Sequence, residues 1–220
     1  MEVNGLRAMW AVLGYRTGGS AAWYTSTGAL FTSNLYIGSL TEFGGGQTLS
    51  GSAQSPTSSA AVGNLLFTST SATQGALILP GDRQLTLQRY EFVGGGVAAG
   101  RPAAAPETGW WWNPSEPGTG YFFEVQGTRL FAILMMYGTD GTSRWYSATG
   151  DLTIGAFGLV PTTMATLEEY AGGPTLSGAY ASAARSILHG QITLAFSSTT
   201  AGVITLPNGR SVALSRFSGF

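Results

Sequence analysis

The chain has no cysteine, no lysine and a single histidine, and its charges are few. Without cysteine there is no disulfide framework and no thiolate metal site. One histidine excludes the usual zinc ligand sets. Charged residues are 10% of the 220, with a formal net charge of −1, against roughly a quarter in ordinary globular domains. With no basic run, the electrostatic footprint of a nucleic-acid-binding protein is missing. All ten basic residues are arginine, which together with the abundant Ala and Gly reads as GC-rich coding. Long apolar runs are missing too. The longest, "LFAILMMY" (Leu130 to Tyr137), is strand length, far short of the roughly 20 residues of a membrane helix. The opening "MEVNGLRAMW" has an acidic residue at position 2 and no apolar h-region, so it is not a signal peptide. Two readings follow, a cytoplasmic protein or a fragment of an exported one. What is present is 44% hydrophobic residue and 33 glycines, a mixture suited to short strands and tight turns rather than long helices.

The chain repeats itself, and such periodicity governs everything else. "EVNGLRAMWAVLGYRTGGSAAWYTSTG" (Glu2 to Gly28) lies over "EVQGTRLFAILMMYGTDGTSRWYSATG" (Glu124 to Gly150) without a gap, at an offset of 122. "GGQTLSG" (Gly45 to Gly51) matches "GGPTLSG" (Gly172 to Gly178) at an offset of 127, which then holds through Leu79-Pro80 with Leu206-Pro207, Arg83 with Arg210 and Arg89 with Arg216. Five extra residues therefore fall in the second copy within Asp151 to Ala171. The chain divides into a first β unit over 1–92, a Gly/Ala/Pro-rich linker over 93–108 and a second β unit over 109–220.

Each unit reads as a run of short strands joined by turn sequences such as "QGT", "TDGT" and "PNGR". In the second unit strands are expected near 120–126, 129–137, 143–149, 158–167, 175–182, 190–196, 202–206 and 211–217. Residues 179–188, "AYASAARSIL", stand open as a short helix instead. Short connections favour an antiparallel meander. The expected fold class is all-β: a tandem duplication of a meander of about eight strands per unit, forming two small barrels or sandwiches. In the second strand Phe131, Ile133, Met135 and Tyr137 point one way and Leu130, Ala132, Leu134 and Met136 the other. Both faces are apolar, so both should be buried. "AMWAVLGY" (Ala8 to Tyr15) is its counterpart, and the two units are expected to pack together about a pseudo-twofold axis.

"GWWWNPSEPGTGYFF" (Gly109 to Phe123) has no counterpart in the first unit, because the match begins at Glu2. The first unit is thus expected to lack its opening strand, either naturally or through a misplaced start. An open sheet edge needs a cover, supplied by the linker, by the sister unit, or by another copy in a homodimer.

The segment Trp112-Asn113-Pro114-x-Glu116-x-Gly118-x-Gly120, followed by Tyr137, Asp140, Gly141, Trp145 and Tyr146, resembles a repeat of exported bacterial proteins of uncharacterised function: W-x-N-P-x-E-x-G-x-G, an apolar strand, then Y-x-x-D-G-x-x-x-W-Y. In the first unit Gly18 replaces the aspartate. The resemblance implies a secreted or periplasmic setting and no established activity. A fainter, fold-level likeness is to avidin and lipocalin barrels, whose first strand also begins with a tryptophan.

Three readings of the tryptophans stay open. They plug a barrel end, or Trp110, Trp111 and Trp112, with Asn113 and Glu116, form a platform for a sugar or a flat apolar ring, or they make an interface with a partner protein. A pocket, if one exists, should use Tyr137, Trp145, Tyr146 and Arg216, whose residue types recur as Tyr15, Trp23, Tyr24 and Arg89. His189 faces Val62 in the alignment and reads as structural. Glu2/Arg7 and Glu124/Arg129 read as hairpin ion pairs, and Arg210 as a turn residue. No catalytic constellation, metal site or cofactor motif is evident. The expected function is an exported, non-enzymatic module binding a glycan or a small aromatic or apolar ligand. A structural, adhesion or protein-interaction module is the alternative, and a hydrolase a distant third.

Overall fold

The computed structural model describes residues 1–154 and 161–220. Its first sheet contains β1 (Glu2–Asn4), β2 (Arg7–Tyr15), β3 (Ala21–Thr32), β4 (Leu35–Gly44), β5 (Ser58–Ser69), β6 (Gln74–Leu79) and β7 (Arg83–Gln88), paired in sequence order. The second contains β8 (Gly109–Trp112), β9 (Gly120–Gln126), β10 (Arg129–Tyr137), β11 (Ser143–Asp151), β12 (Thr162–Ala171), β13 (Ala184–Ala195), β14 (Ala201–Thr205) and β15 (Ser211–Arg216), and closes into an eight-stranded barrel. All ladders are antiparallel. Among the described residues the one helical stretch is the 3-10 turn Gly96–Ala99, and no helix is long and apolar enough to cross a membrane.

The barrel closes because β8 pairs with β9 on one side, Trp111 opposite Tyr121, and with β15 on the other, Trp111 opposite Arg216. The first sheet has β1 opposite the tail of β9 in the alignment and no equivalent of β8, so it curls into a half-barrel with β1 and β7 as its edges. Its interior is filled differently. Trp10, Tyr36 and Phe67 point inward where the closed barrel has Ala132, Thr163 and Leu194. Trp10 packs on Phe67 at 4.7 Å and on Tyr36 at 6.2 Å between ring centroids. The closed barrel takes its bulk from Trp111, Tyr121, Phe123 and Phe196 instead. Each core is filled by its own set of large rings.

The two faces of β10 divide as alternation requires. Leu130, Ala132, Leu134 and Met136 enter the barrel core, and Phe131, Ile133, Met135 and Tyr137 enter a third cluster shared by both units. Contacts across this seam come in pairs. Trp23 Nε1 donates to the Met136 carbonyl (2.9 Å) and Trp145 Nε1 to the Gly14 carbonyl (3.1 Å). Trp23 meets Tyr137 edge-on at 5.5 Å, and Trp145 meets Tyr15 at 5.8 Å. Gly45 N–H donates to Gly141, and Gly172 N–H to Gly19. Every pair is related by the alignment, so the seam is a pseudo-twofold.

The matching "GG-x-TLSG" segments are arms exchanged across it. Leu49 of the first arm packs on the closed barrel's core and Leu176 of the second on the half-barrel's. A Cβ on Gly46 would lie 2.2 Å from the Tyr137 ring and one on Gly173 2.1 Å from the Tyr15 ring. The arms lie flat on the partner tyrosines only because both positions are glycine.

Several sequence expectations change. Residues 175–182 form no strand; they continue the second arm, whose backbone and Leu176 are committed to the other unit. The segment 179–188 is not helical: β13 begins at Ala184 and runs unbroken to Ala195. Of the strand expected at 158–167, residues 158–160 lie outside the described part; β12 spans Thr162–Ala171. Glu124 does not pair with Arg129. Arg129 lies directly opposite Asp151 and bonds it at 3.3 Å, whereas Glu124 is diagonal to it. Glu124 instead binds Arg89 (2.8 Å), and its mate Glu2 binds Arg216, so these two ion pairs cross the seam. The segment between the sheets is docked: Ala105 is buried in the barrel core, Gly127 N–H donates to Gly100 and Glu107 N–H to Thr199.

Candidate functional site at the mouth of the closed barrel

The barrel interior is packed with side chains, and a concavity of 550 Å³ lies at its mouth. One wall is the exchanged arm, through Thr48, Leu49 and Ser50; the others come from the β10–β11 turn and from β11, β12 and β13. Asp140, Arg144, Glu169 and His189 run along it in sequence order. Asp140 sits in the turn, where Gly141 at φ 76° lets the chain reverse. Its Oδ1 accepts from the Thr142 N–H (3.0 Å) and hydroxyl (2.7 Å). These Thr142 hydrogen bonds, with the nearby Arg144 guanidinium, hold its carboxyl below the usual range. Arg144 on β11 donates to Asp140 Oδ2 (2.8 Å), and its Nε stands 3.7 Å from Glu169 on β12. Glu169 lies 2.9 Å from His189 Nε2 on β13. The imidazole meets the Tyr146 ring edge-on at 4.9 Å. Burial pushes the Tyr146 phenol up to about 12, with the Glu169 charge adding to it.

Adjacent strands deliver these groups because β10 to β13 are consecutive in the barrel, and their cleft-facing ends meet at one rim. Arg144 and His189 supply donors, Asp140 and Glu169 acceptors, and the hydroxyls of Thr48, Ser50 and Thr139 both. Among the described residues no cluster of three or more His, Cys, Asp or Glu could hold a metal ion.

Tyr137 and Tyr146 line this cleft. The other candidate binding residues read from the sequence lie elsewhere. Trp110 joins the seam cluster. Trp111 is in the barrel core against Phe123 and Phe196, its Nε1 donating to the Glu107 carbonyl (3.1 Å). Trp112 packs on Phe217 at 5.1 Å. Asn113 Oδ1 accepts from the Ser115 N–H (3.0 Å) and fixes a turn. Glu116 binds Arg210, and Gln47 of the first arm bridges the two, donating to Glu116 at 3.1 Å. Arg210 is thus an arm anchor rather than a turn ornament, as is its mate Arg83, which donates to the Thr175 carbonyl (2.6 Å). Trp145 and Trp23 brace the seam, stacking on Tyr170 and Phe43. Tyr15 lies in the seam and Tyr24 in the half-barrel core. Arg216 donates to the Trp110 and Phe217 carbonyls at 2.7 and 2.8 Å, and Arg89 bonds Glu124 across the seam.

Sequence reasoning passed over Arg144 and Glu169 and read His189 as structural. A signal was there: the repeat is an internal control. The first unit has Gly18, Ala22 and Val62 where the second has Asp140, Arg144 and His189. Comparison with protein-family models, with curated protein sequences and with solved structures finds no match to this chain.

Proposed function

We propose that the protein is a non-enzymatic binding module whose closed barrel takes a small hydroxyl-rich ligand, a glycan fragment, in the mouth cleft. The observation that carries this reading is the asymmetry of the duplication. The residue types that brace the seam, Tyr15/Tyr137 and Trp23/Trp145, are shared by both units, as is Glu42/Glu169; Asp140, Arg144 and His189 are held by one. Sugar hydroxyls need donors and acceptors side by side, which the cleft lines up within hydrogen-bonding reach of one another. Its 550 Å³ falls in the range of small-molecule sites. An exported setting agrees with the resemblance of the Trp112 to Tyr146 segment to exported repeats. The alternative, a structural or adhesion module, draws support from the filled barrel interior, which offers no enclosed ligand cavity.

The test is a glycan panel titrated by calorimetry against the wild type and against Arg144→Ala and His189→Val. Those two substitutions install side chains that the first unit already carries at the equivalent positions, so folding should survive. One or more glycans should bind, with affinity at least about tenfold lower in each variant, the loss of roughly one charge-assisted hydrogen bond. Failure of every glycan, or indifference to both variants, would favour the structural module. Turnover of a bound glycan would turn the reading toward hydrolysis, with the Glu169–His189 pair as its first suspect.

A further inference from the structure

A second concavity, 350 Å³ and far less polar, opens along the seam between the units. Its walls are Trp23 and Phe43, stacked at 6.0 Å and 26°, with Met9, Met135 and Thr25, and the floor is Tyr137. Gly118 and Pro56 close one rim; a Cβ on Gly118 would lie 2.0 Å from the proline ring. We infer that this cleft binds a flat, apolar small molecule of about two fused or linked rings.

The pseudo-twofold says what chemistry suits it. The mate of Met9 is Phe131. On that sister face the chain itself supplies the rings: Tyr90 and Phe92 pack on Phe131 at 5.6 and 5.7 Å. The mate of Tyr90 is Phe217, which should cover Met9 in the same way. Phe217 packs edge-on against Trp112 at 5.1 Å. The cleft's lining includes neither Phe217 nor any other ring from that segment. A position covered by two aromatic rings on one side of the molecule borders an apolar cleft on the other, and the mate of Phe92 there is Gly219. Two methionines beside an aromatic pair give it a soft, adaptable wall with favourable sulfur–ring contacts. The slot follows the seam and shares Tyr137 alone with the lining of the mouth cleft, and it does not rest on the glycan reading.

The probe is N-phenyl-1-naphthylamine, titrated into the whole protein while its emission and energy transfer from tryptophan are followed. Trp23 in the wall makes transfer efficient. Saturable binding with one probe per chain is expected. Met9→Phe, the sister residue, and Thr25→Phe each fill the slot and should weaken binding at least tenfold while the thermal midpoint stays near wild type. Two separate fillings keep the test usable if one variant folds poorly. Arg144→Ala, in the mouth cleft, should leave probe affinity unchanged. Absence of saturable binding, full affinity in both filled variants, or a loss in Arg144→Ala would each overturn the inference.

Discussion

At the scale of single residues, Trp10 and Ala132 occupy equivalent positions with opposite jobs: one fills a core, the other leaves room for its neighbours' rings. Trp10 is 5% exposed, and removing it would leave a void in a half-barrel with no β8 to collapse into it. Trp10→Ala should therefore cost about 3–5 kcal/mol in urea unfolding. Trp10→Phe should cost far less, because the indole N–H is buried without a partner and its loss relieves an unsatisfied donor. Equal losses for the two variants would contradict this account of the core. The reverse change, Ala132→Trp, should also destabilise, since Trp111 and Phe123 already fill that space. The exchange of bulk was legible only in part. The alignment set Trp10 beside Ala132, but which rings share one interior depends on register, and so on the fold.

At the scale of elements, the exchanged arms carry coupling between the units. Leu49 and Leu176 each leave their own sheet to pack on the other's core, and Arg210 and Arg83 clamp the arms in place. Leu49→Ala and Leu176→Ala should each cost about 1–3 kcal/mol, below the full burial figure because both side chains are only partly covered. The double variant should remain close to additive, as the two side chains pack on different cores; calorimetric melting of the three proteins checks both statements. Most strands were readable from alternation and turn chemistry, β10 down to which residue faces which way. The second arm was not. "PTLSGAYA" has strand-like composition, and nothing local says that its apolar residue is spent on another unit. The hairpin ion pairs failed for the same kind of reason. A carboxylate and an arginine five residues apart look like neighbours across a turn until the pairing places Asp151 opposite the arginine.

For the whole molecule, a shared apolar seam predicts one cooperative transition, with tryptophan emission and far-ultraviolet circular dichroism tracing the same curve. Alkaline pH should lower that transition. Burial raises the Tyr121 and Tyr146 phenols to about 12, above the ordinary 10 of an unfolded tyrosine. A raised folded value gives stability that is complete below pH 10 and lost as pH climbs toward 12. The loss is about 2–3 kcal/mol for each phenol. Urea midpoints should stay flat on the alkaline side until about pH 9.5 and fall steeply from 10 to 12; a flat profile to 12 would contradict the burial of both rings.

The amino-acid sequence by itself determined the all-β class, the duplication and the two-faced burial of β10. Those properties are periodic or local: alternation, turn residues and repeated words are written along the chain. Only the tertiary structure decided that one sheet closes while the other stays open, that the arms cross over, and that Asp140, Arg144, Glu169 and His189 meet at one rim. Closure depends on β8 finding β15 more than a hundred residues downstream. The cleft depends on four strands ending together. Neither distance nor direction between remote residues is encoded in any local pattern; both appear once the hydrophobic seam fixes the two units against each other.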